Sequence, residues 1–289
     1  MVATDALVFA YCLFQIIYVA ILGSRLNDQA YILAVYLACL TASMFCAHIR
    51  QYTHTKAIRL ATLLYPMVLL IPLYEISGHQ VHMFYDGFFD QYIIDFEHYI
   101  FSVHPTIWMQ QFNHPLITEW MMFGYSFYVL LIPITTIRLY GTHKNDAWQH
   151  MLGALLISFF ISYIVFSLIP IAGPRFALAN HYTVCFNGFI FKKITGLLEA
   201  NAMLHGGAFP SAHCSAATVM LVLSFKYDKK LFLWVAPIII TLYIATVYGR
   251  YHYPTDVVGG IITGLSGIML FMPIKRTWQK ISLDKESGA

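Results

Sequence analysis

The stretch LFLWVAPIIITLYIATVY, residues 231–248, runs for 18 residues without a charged side chain. A helix of about this length crosses the hydrocarbon core of a bilayer. A window of about 19 residues finds seven further segments of similar composition. We therefore predict an all-α fold, a polytopic membrane helix bundle of about eight spans. The predicted spans are Ala6–Gly23, Tyr31–Ala47, Leu60–Ile76, Thr118–Tyr140, His150–Ile171, Ser211–Phe225, Leu231–Tyr248 and Thr255–Ile274.

The overall composition supports this interpretation. The chain has 289 residues, of which 59% are hydrophobic and only 11% are charged, against about 25% charged residues in an average soluble domain. So few polar groups cannot cover the surface of a protein in water. The composition therefore excludes a soluble globular enzyme, a disordered protein and a nucleic-acid-binding protein. No basic segment precedes the first span, so we interpret it as a retained span and not as a cleaved signal peptide.

The distribution of positive charge predicts the orientation of the bundle. With eight spans the loops alternate between two sides, and twelve of the 17 Lys and Arg residues fall on one of them. The positive-inside rule places that side, together with both termini, in the cytoplasm. The other side faces the periplasm, the exterior or an organelle lumen. Its positive residues are Arg25, Arg175, Lys192, Lys193 and Arg250.

The non-cytoplasmic side also carries two long loops, at about 77–117 and 173–210. In the first loop, apolar residues of the segment Gln91–Phe101 recur about one helical turn apart. We interpret this segment as a helix that lies in the membrane interface, with Trp108 and Trp120 as interfacial anchors. The alternative is a packed lid that takes no part in chemistry.

Three polar clusters fall on this same side. Gly173-Pro174-Arg175 follows the fifth span, Phe209–Cys214 opens the sixth, and Tyr248–Asp256 joins the seventh to the eighth. Hydropathy alone defines the spans, independently of these residues. Their meeting on one side therefore indicates a common site.

The residues of these clusters suit an anion such as phosphate. Pro210-Ser211 before an apolar helix is typical of a helix start with Ser as the N-cap. The free amides and the dipole at such an end favour a bound anion. Arg175 and Arg250 add fork-shaped donors that match phosphate oxygens. The simpler alternatives are a plain helix cap and arginines that extend to lipid headgroups.

Two histidines of the clusters are candidates for covalent and acid–base chemistry. Asp256 lies four residues after His252 and is placed to accept the Nδ1 proton, which would leave Nε2 free to attack. His213, on another helix, is placed to protonate a leaving oxygen. The alternative for each histidine alone is a solvated or hydrogen-bonded interfacial group without catalytic function.

Two cysteines and two glycines of the sequence also carry structural predictions. Cys185 and Cys214 both lie on the non-cytoplasmic side, so they either form a disulfide over the site or remain free thiols, with Cys214 packed into its helix. In the eighth span, the step from Gly260 to Gly264 predicts close packing between helices.

The three clusters resemble the signature of the type 2 phosphatidic acid phosphatase superfamily. Its second motif, Pro-Ser-Gly-His, is similar to Pro210-Ser211-Ala212-His213, and its third ends in His-x-x-x-Asp, as do residues 252–256. The resemblance begins at about Leu60. It implies a six-span catalytic core of haloperoxidase-like type over residues 59–289, which includes the interfacial loop at 77–117, and two additional spans over 1–58.

The resemblance also implies a role for each site residue. His252 resembles the nucleophile that forms a phosphohistidine, Asp256 its orienting partner, and His213 the general acid. Ser211, Arg175 and the amide of Ala212 resemble phosphate ligands. The family uses no cofactor or metal in this chemistry, and no cluster with metal-ligand spacing occurs in the sequence.

The first motif of the family departs from the expected pattern here. The family has a Lys seven residues ahead of an Arg-Pro pair, whereas this chain has Leu168 and the order Pro174-Arg175. One phosphate ligand is therefore missing or is supplied from elsewhere, for example by Lys192 or Lys193. These departures resemble the branch that contains inositol phosphorylceramide synthase and sphingomyelin synthase.

The third motif departs as well. Thr246 stands where the family usually has Arg, six residues before its His, and Arg250 is the candidate replacement. In the second motif, Ala212 replaces Gly, which a helical backbone tolerates.

The activity implied is that of a metal-independent lipid-phosphate phosphatase acting on the non-cytoplasmic side. The alternative is a phosphotransferase that moves a phosphoryl headgroup to a lipid alcohol. A transporter or a binding protein is a more remote alternative, because no charge lies in mid-span and His213, His252 and Asp256 are all present. The expected partners are a lipid phosphate and the bilayer, with no nucleic acid. Phosphatidic acid, phosphatidylglycerophosphate, a polyprenyl pyrophosphate and a sphingolipid phosphate all fit.

Overall fold

A computed structural model describes residues 2–142, 146–202 and 204–287. Over these ranges the chain is mostly helical and has no β-strand, which confirms the predicted all-α class. The α-helices are α1 (Ala3–Leu22), α2 (Gln29–Tyr52), α3 (Lys56–Gly78), α4 (Asp90–Phe101), α5 (Pro105–Trp108), α6 (Pro115–Thr142), α7 (Asp146–Leu168), α8 (Pro174–Ala177), α9 (Phe191–Ala202), α10 (Ala212–Tyr227), α11 (Lys229–Tyr248) and α12 (Pro254–Ser287). Short 3-10 turns occur at Gly23–Arg25, Met109–Phe112 and Ala179–His181.

The membrane-spanning helices agree with the hydropathy prediction except at one position. In the described part of the chain, seven helices are long and apolar enough to cross a membrane, namely α1, α2, α3, α6, α7, α11 and α12. The predicted span Ser211–Phe225 corresponds to α10, whose 16 residues extend over only about 24 Å. Since α10 packs against α7, α11 and α12, neighbouring helices surround it. The protein is an integral, multi-pass membrane protein.

The two N-terminal helices pack into the rest of the bundle. The ring of Tyr11 in α1 stacks on Phe160 of α7, with 3.9 Å between ring centroids. At the start of α1, buried Asp5 accepts from Arg50 Nη1 of α2 at 2.7 Å. Arg50 also donates to the carbonyl oxygen of Thr62 in α3. A buried ion pair therefore connects the first three helices at one end of the bundle.

Charged residues also join helices around the turn between α10 and α11. Asp228 accepts from the amides of Lys230 and Leu231 at the start of α11. Its second carboxylate oxygen accepts from Arg138 Nε of α6 at 3.0 Å. This carboxylate therefore connects α6 with the start of α11.

Lys144, one of the twelve positive residues predicted on the cytoplasmic side, lies outside the described residues.

A row of glycines in α12 permits unusually close helix contacts. A Cβ atom on Gly260 would lie 2.5 Å from the carbonyl oxygen of Ser211, and one on Gly264 would lie 2.5 Å from that of Ser215. A Cβ atom on Gly267 would lie 2.4 Å from the carbonyl oxygen of Ala154. Such distances are below van der Waals contact, so only glycine fits. The close packing predicted for the Gly260–Gly264 step is confirmed.

The predicted helix in the first long loop is present. It was expected at Gln91–Phe101, and α4 extends over Asp90–Phe101. Its surface carries exposed aromatic side chains, among them Tyr92, Phe96 and Tyr99. Such a surface is typical of a helix that lies in the membrane interface.

Candidate functional site

The three polar clusters meet at one end of the bundle. The amide of Ser211, at the start of α10, donates to the carbonyl oxygen of Asp256 in α12 at 3.0 Å. His213 Nδ1 lies 3.2 Å from His252 Nε2. A Cβ atom on Gly173 would lie 3.2 Å from the carbonyl oxygen of Tyr251. The loop after α7, the start of α10 and the connection between α11 and α12 are therefore in contact.

His252 is held in one orientation by its Nδ1 atom. This atom lies 2.9 Å from the carbonyl oxygen of Ala208 and 3.4 Å from Asp256 Oδ2. A carbonyl oxygen only accepts hydrogen bonds, so Nδ1 carries the proton and Nε2 presents its lone pair. Burial lowers the pKa of His252 to about 4, because a buried imidazolium loses its hydration. The ring is therefore neutral at physiological pH.

His213 and Tyr125 continue this hydrogen-bonded chain. Since His252 Nε2 carries no proton, His213 Nδ1 is the donor in their 3.2 Å contact. His213 Nε2 is then the acceptor for the hydroxyl of Tyr125, at 3.2 Å. The three side chains connect α6, α10 and the turn before α12. Tyr125 is therefore the hydrogen-bond partner of the second nitrogen of His213.

Asp256 is fully buried, and its two oxygens differ in their environment. Oδ2 accepts from the amide of Tyr253 at 2.8 Å and faces His252. Oδ1 is buried without a hydrogen-bond partner among the described residues. The carboxylate is thus oriented by the first turn of its own helix.

The start of α10 has the expected cap. Ser211 is the N-cap residue, and its hydroxyl oxygen accepts from the amide of Cys214 at 3.3 Å. The amides of Ala212 and His213, in the first turn, have no carbonyl partner within the helix. Two donors at the positive end of the dipole are therefore available beside the histidine pair.

Arg175 lies in α8 and forms an ion pair with an acidic residue. Its Nη2 donates to Glu199 Oε2 of α9 at 2.8 Å, and its guanidinium lies 4.9 Å from the ring centre of Tyr251. The hydroxyl of Tyr251 donates to the other oxygen of Glu199. Tyr251 in turn stacks on Tyr125 at 4.1 Å. Arg175 is thereby connected, through two aromatic rings, to the histidine pair.

Arg250 occupies a different environment from Arg175. Its guanidinium lies between the rings of Tyr182 and Phe186, at 4.0 and 4.3 Å from their centres. Its Nη2 donates to the carbonyl oxygen of Val184 at 2.7 Å. The backbone of Arg250 is left-handed, with φ of 64°. The second long loop therefore folds around this side chain.

A cavity of about 320 Å³ is lined by both arginines. Tyr182 and Phe186, which lie against Arg250, also line it. Both predicted arginines thus face one space, although they come from different clusters.

The departures from the family's motifs, and the two lysines that could compensate for them, lie in different environments. Leu168, at the end of α7, is half-exposed. Lys192 and Lys193 lie in the first turn of α9. Thr246 is fully buried, and its carbonyl oxygen accepts from the amides of Tyr251 and His252 at 2.9 and 3.0 Å. The residue at the family's arginine position therefore shapes the turn that presents His252.

Asp90, at the start of α4, fastens the loop that leads to Arg175. Its two oxygens accept from the amides of Ala172 and Gly173, each at 2.8 Å. Oδ1 also accepts from the hydroxyl of Tyr253 at 2.9 Å. Gly173 has φ of 97°, a conformation that favours glycine. One buried carboxylate therefore positions both the Arg175 loop and the turn after His252.

Glu97, two turns later in α4, binds the start of α12. Its Oε1 accepts from the amide and the hydroxyl of Thr255, both at 2.8 Å. Burial raises the pKa of Glu97 to about 7. This side chain serves as a cap for the helix that carries Asp256.

Among the described residues, neither the cysteines nor the side chains that commonly bind metals form a second reactive site. Cys185 is exposed, Cys214 is buried in α10, and both are free thiols. This agrees with the second of the two alternatives stated for the pair. Among the described residues, no group of three or more His, Cys, Asp or Glu side chains could hold a metal ion.

Several residues of the site carry no motif. Tyr125, Glu199 and Tyr251 join the histidines to Arg175 through contacts that sequence spacing does not reveal. Asp90 and Glu97 did leave a signal, because two acids seven residues apart share one face of a predicted interfacial helix. Buried acids on such a face require partners, which here are the site's own backbone amides.

Comparison with known proteins supports the reading of the motifs. No curated protein and no solved structure matches the chain. A family model described as the PAP2 superfamily matches residues 91–270, which include all three clusters, the histidine pair and all of α4 except its first residue. A match of this extent, together with the spanning helices, shows that this membrane protein of lipid phosphatase type belongs to the PAP2 superfamily.

Proposed function

We propose that this protein is a metal-independent lipid-phosphate phosphatase that works through a phosphohistidine at His252, on the non-cytoplasmic side. The observation that carries the proposal is the fixed imidazole. With Nδ1 bound to Ala208 and Asp256, the Nε2 lone pair is the free nucleophilic atom and it faces His213.

In the first step, the phosphoryl group enters between the two histidines and replaces their hydrogen bond. A bond forms between His252 Nε2 and phosphorus while the bond from phosphorus to the lipid oxygen breaks. His213 takes up a second proton as the anionic phosphate enters, and its Nδ1 then gives a proton to that oxygen, so that the lipid alcohol leaves neutral and His213 returns to the neutral imidazole. The Ala212 amide at the start of α10, the Ser211 hydroxyl and Arg175 bind the phosphoryl oxygens as negative charge develops.

In the second step, water attacks the phosphohistidine. His213, now a neutral imidazole, accepts a proton from the water, and inorganic phosphate leaves as the N–P bond breaks. Asp256 stabilises the positive charge that His252 carries while it is phosphorylated. Loss of that proton from His213 then returns both histidines to the states seen in the structure.

The lipid part of the substrate has its own candidate site. An apolar cavity of about 410 Å³ lies between α4 and the end of α7, and Phe89, Ile93, Ile171 and Phe209 line it. It adjoins the reacting centre, because Phe209 follows Ala208, the residue that binds His252. An acyl or prenyl chain buried here would leave water.

A second candidate function is transfer of the phosphoryl headgroup to a lipid alcohol. Leu168 and the order Pro174-Arg175 favour it, since they resemble the sphingolipid synthase branch. The residues of both reactions are the same, and only the group that attacks the phosphohistidine differs.

The proposal is tested by phosphate release from a panel of lipid phosphates by the purified protein in detergent, with EDTA present. We expect His252→Ala to abolish release, by more than about a thousandfold. His82→Ala is the matched control, because His82 also precedes an Asp by four residues but is exposed. It is expected to retain full activity.

Persistent release in His252→Ala would contradict the assignment of the nucleophile. Absence of release by the wild-type protein, followed by product formation when a lipid alcohol is added, would favour the transferase. An acid-labile phosphoprotein that His252→Ala lacks would support the covalent intermediate in both cases.

A further inference from the structure

Helix α9 turns one apolar side away from the rest of the described chain. Ile190, which directly precedes the helix, and Ile194, Leu197 and Leu198 within it are all exposed. They recur three or four positions apart, so they lie along one side of the helix. Thr195, away from that side, is fully buried. We call the four exposed residues the α9 apolar face.

The contact between α9 and α6 indicates the depth of this face. α6 contains a candidate span of 27 residues, Pro115–Gly141. Such a helix is about 40 Å long, so it extends about 5 Å beyond each side of a hydrocarbon core of about 30 Å. Thr195 Oγ1 lies 3.5 Å from the carbonyl oxygen of Met122, and Phe191 contacts the ring of Phe123. Met122 lies about 10 Å along α6 from its start, so α9 meets α6 within the hydrocarbon region.

Two neighbouring side chains suit the border of a bilayer. Trp120 of α6, the predicted interfacial anchor, is half-exposed and precedes Met122 by two residues. Lys193, in the first turn of α9, is exposed, and a lysine side chain can extend along an apolar surface to the lipid headgroups. An apolar face with a lysine at its edge is typical of a helix in the membrane interface.

The other side of α9 carries a residue of the candidate site. Glu199 follows Leu197 by two residues, which places it roughly on the opposite side of the helix. Its Oε2 accepts from Arg175 Nη2 at 2.8 Å, and its Oε1 accepts from the hydroxyl of Tyr251. One short helix therefore joins the α9 apolar face to Arg175.

We propose that the α9 apolar face inserts among the acyl chains of the non-cytoplasmic leaflet, and that this contact holds Glu199 against Arg175. The contact itself is independent of the proposed function, and only its consequence for turnover rests on that function. Insertion removes the exposed apolar side chains from water. A second protein chain would also cover them, but the depth of α9 along α6 places them beside lipid.

The contact is tested with a nitroxide label on Leu197→Cys, in a chain that also carries Cys46→Ser and Cys185→Ser. The remaining cysteines are buried. In vesicles of phosphatidylcholine and phosphatidylglycerol, we expect frequent collisions with oxygen and few with nickel–EDDA, which stays in water. The ratio of the two collision rates should exceed that of Asp86→Cys at least about fivefold, because the Asp86 side chain is 85% exposed on the same predicted side. Leu130→Cys, exposed near the middle of α6, is the lipid-facing control.

A collision ratio as low as that of Asp86→Cys would overturn the proposal, since the face would then lie in water. Few collisions with either reagent would overturn it as well, since a protein chain would then cover the face. Both measurements are independent of activity, so a failure of the proposed phosphatase function leaves them unaffected.

The link to the site is tested from both ends. Ile194→Ser with Leu197→Ser weakens the contact with lipid, so we expect KM for a lipid phosphate in vesicles to rise at least about fivefold, with little change in kcat. Val68→Ser with Ile71→Ser is the matched control, because both residues are exposed in the span α3. It is expected to leave KM unchanged. Conversely, Arg175→Ala should increase the motion of the label on Leu197→Cys, because coupled contacts act reciprocally.

A KM that stays unchanged in the α9 pair, or rises equally in both pairs, would overturn the link. Unchanged motion of the label in Arg175→Ala would overturn it too. If the protein hydrolyses no lipid phosphate, the proposed function fails and the motion of the label alone decides the link.

Discussion

Two regions of the candidate site are held together by different kinds of contact. One is the pair of helices α10 and α12, and the other is the set of segments that cover them. α10 and α12 meet through glycines, with backbone atoms closer than any side chain allows at Gly260 and Gly264. The cover, formed by α4 and the loop of residues 173–210, is held by carboxylates that bind backbone amides. Asp90 and Glu97 are its main anchors. α10, α12 and the turn before α12 therefore carry the proposed reacting groups, and contacts from the cover help to orient them.

The largest effect on activity is expected in the helices, from Asp256→Asn. The amide carries no negative charge to stabilise a positively charged His252, and its NH₂ group is a donor, which cannot replace an accepting carboxylate oxygen. We expect kcat to fall by about a thousandfold with the fold intact, measured as phosphate release. Asp86→Asn is the control, since Asp86 has the same spacing from His82 and is exposed. Near-normal turnover of Asp256→Asn would show that Ala208 alone orients His252.

The contact between the helices is broken by Gly260→Ala. The new Cβ atom would lie 2.5 Å from the carbonyl oxygen of Ser211, so α12 must move away from α10. Overpacking of this kind costs about 1–3 kcal/mol. We expect a lower Tm and a loss of activity of about a hundredfold, because the movement separates His252 from His213.

Gly196→Ala in α9 is the matched substitution on the cover. No atom lies within 4 Å of the position that its Cβ would occupy, and alanine favours a helix over glycine. We expect an unchanged or slightly higher Tm. If Gly260→Ala and Gly196→Ala lower Tm equally, the contact between α10 and α12 is not more tightly packed than the surroundings of Gly196.

A smaller effect is expected when the cover is loosened by Asp90→Asn. The amide group retains one acceptor for the three donors that Asp90 now binds, from Ala172, Gly173 and Tyr253. We expect activity to fall by about tenfold, chiefly through KM, because the Arg175 loop becomes less ordered. Asp95→Asn, on the exposed face of the same helix, should have no effect. If KM is unchanged in Asp90→Asn, contacts other than those of Asp90 must order the Arg175 loop.

The smallest effect concerns pH and Glu97. Since burial raises the pKa of Glu97 to about 7, the folded protein binds more protons than the unfolded chain between about pH 4.5 and pH 7. Stability from this group is therefore present at acid pH and decreases as pH rises through that window. We expect Tm to decline less with pH in Glu97→Gln than in the wild-type protein. Parallel Tm profiles would contradict the raised pKa.

The sequence by itself determined the class of the protein and its candidate reacting groups. Hydropathy located the spans, because burial in lipid depends on the composition of each segment alone. Spacing identified His213, His252 and Asp256, since the family preserves its chemistry in short motifs. The short segment predicted at Ser211–Phe225 is found as α10, Ala212–Tyr227, and its neighbours shield it, so a short helix suffices.

Only the tertiary structure decided how the groups are supported. Arg175 meets Glu199, Asp90 meets Gly173, and Glu97 meets Thr255 across 24, 83 and 158 residues of sequence. Arg250 likewise lies against the 182–186 segment of a distant loop. Such pairs depend on how helices and loops pack, and no local pattern encodes that. A buried carboxylate or guanidinium must find its partner in the folded chain, because burial without one is too costly.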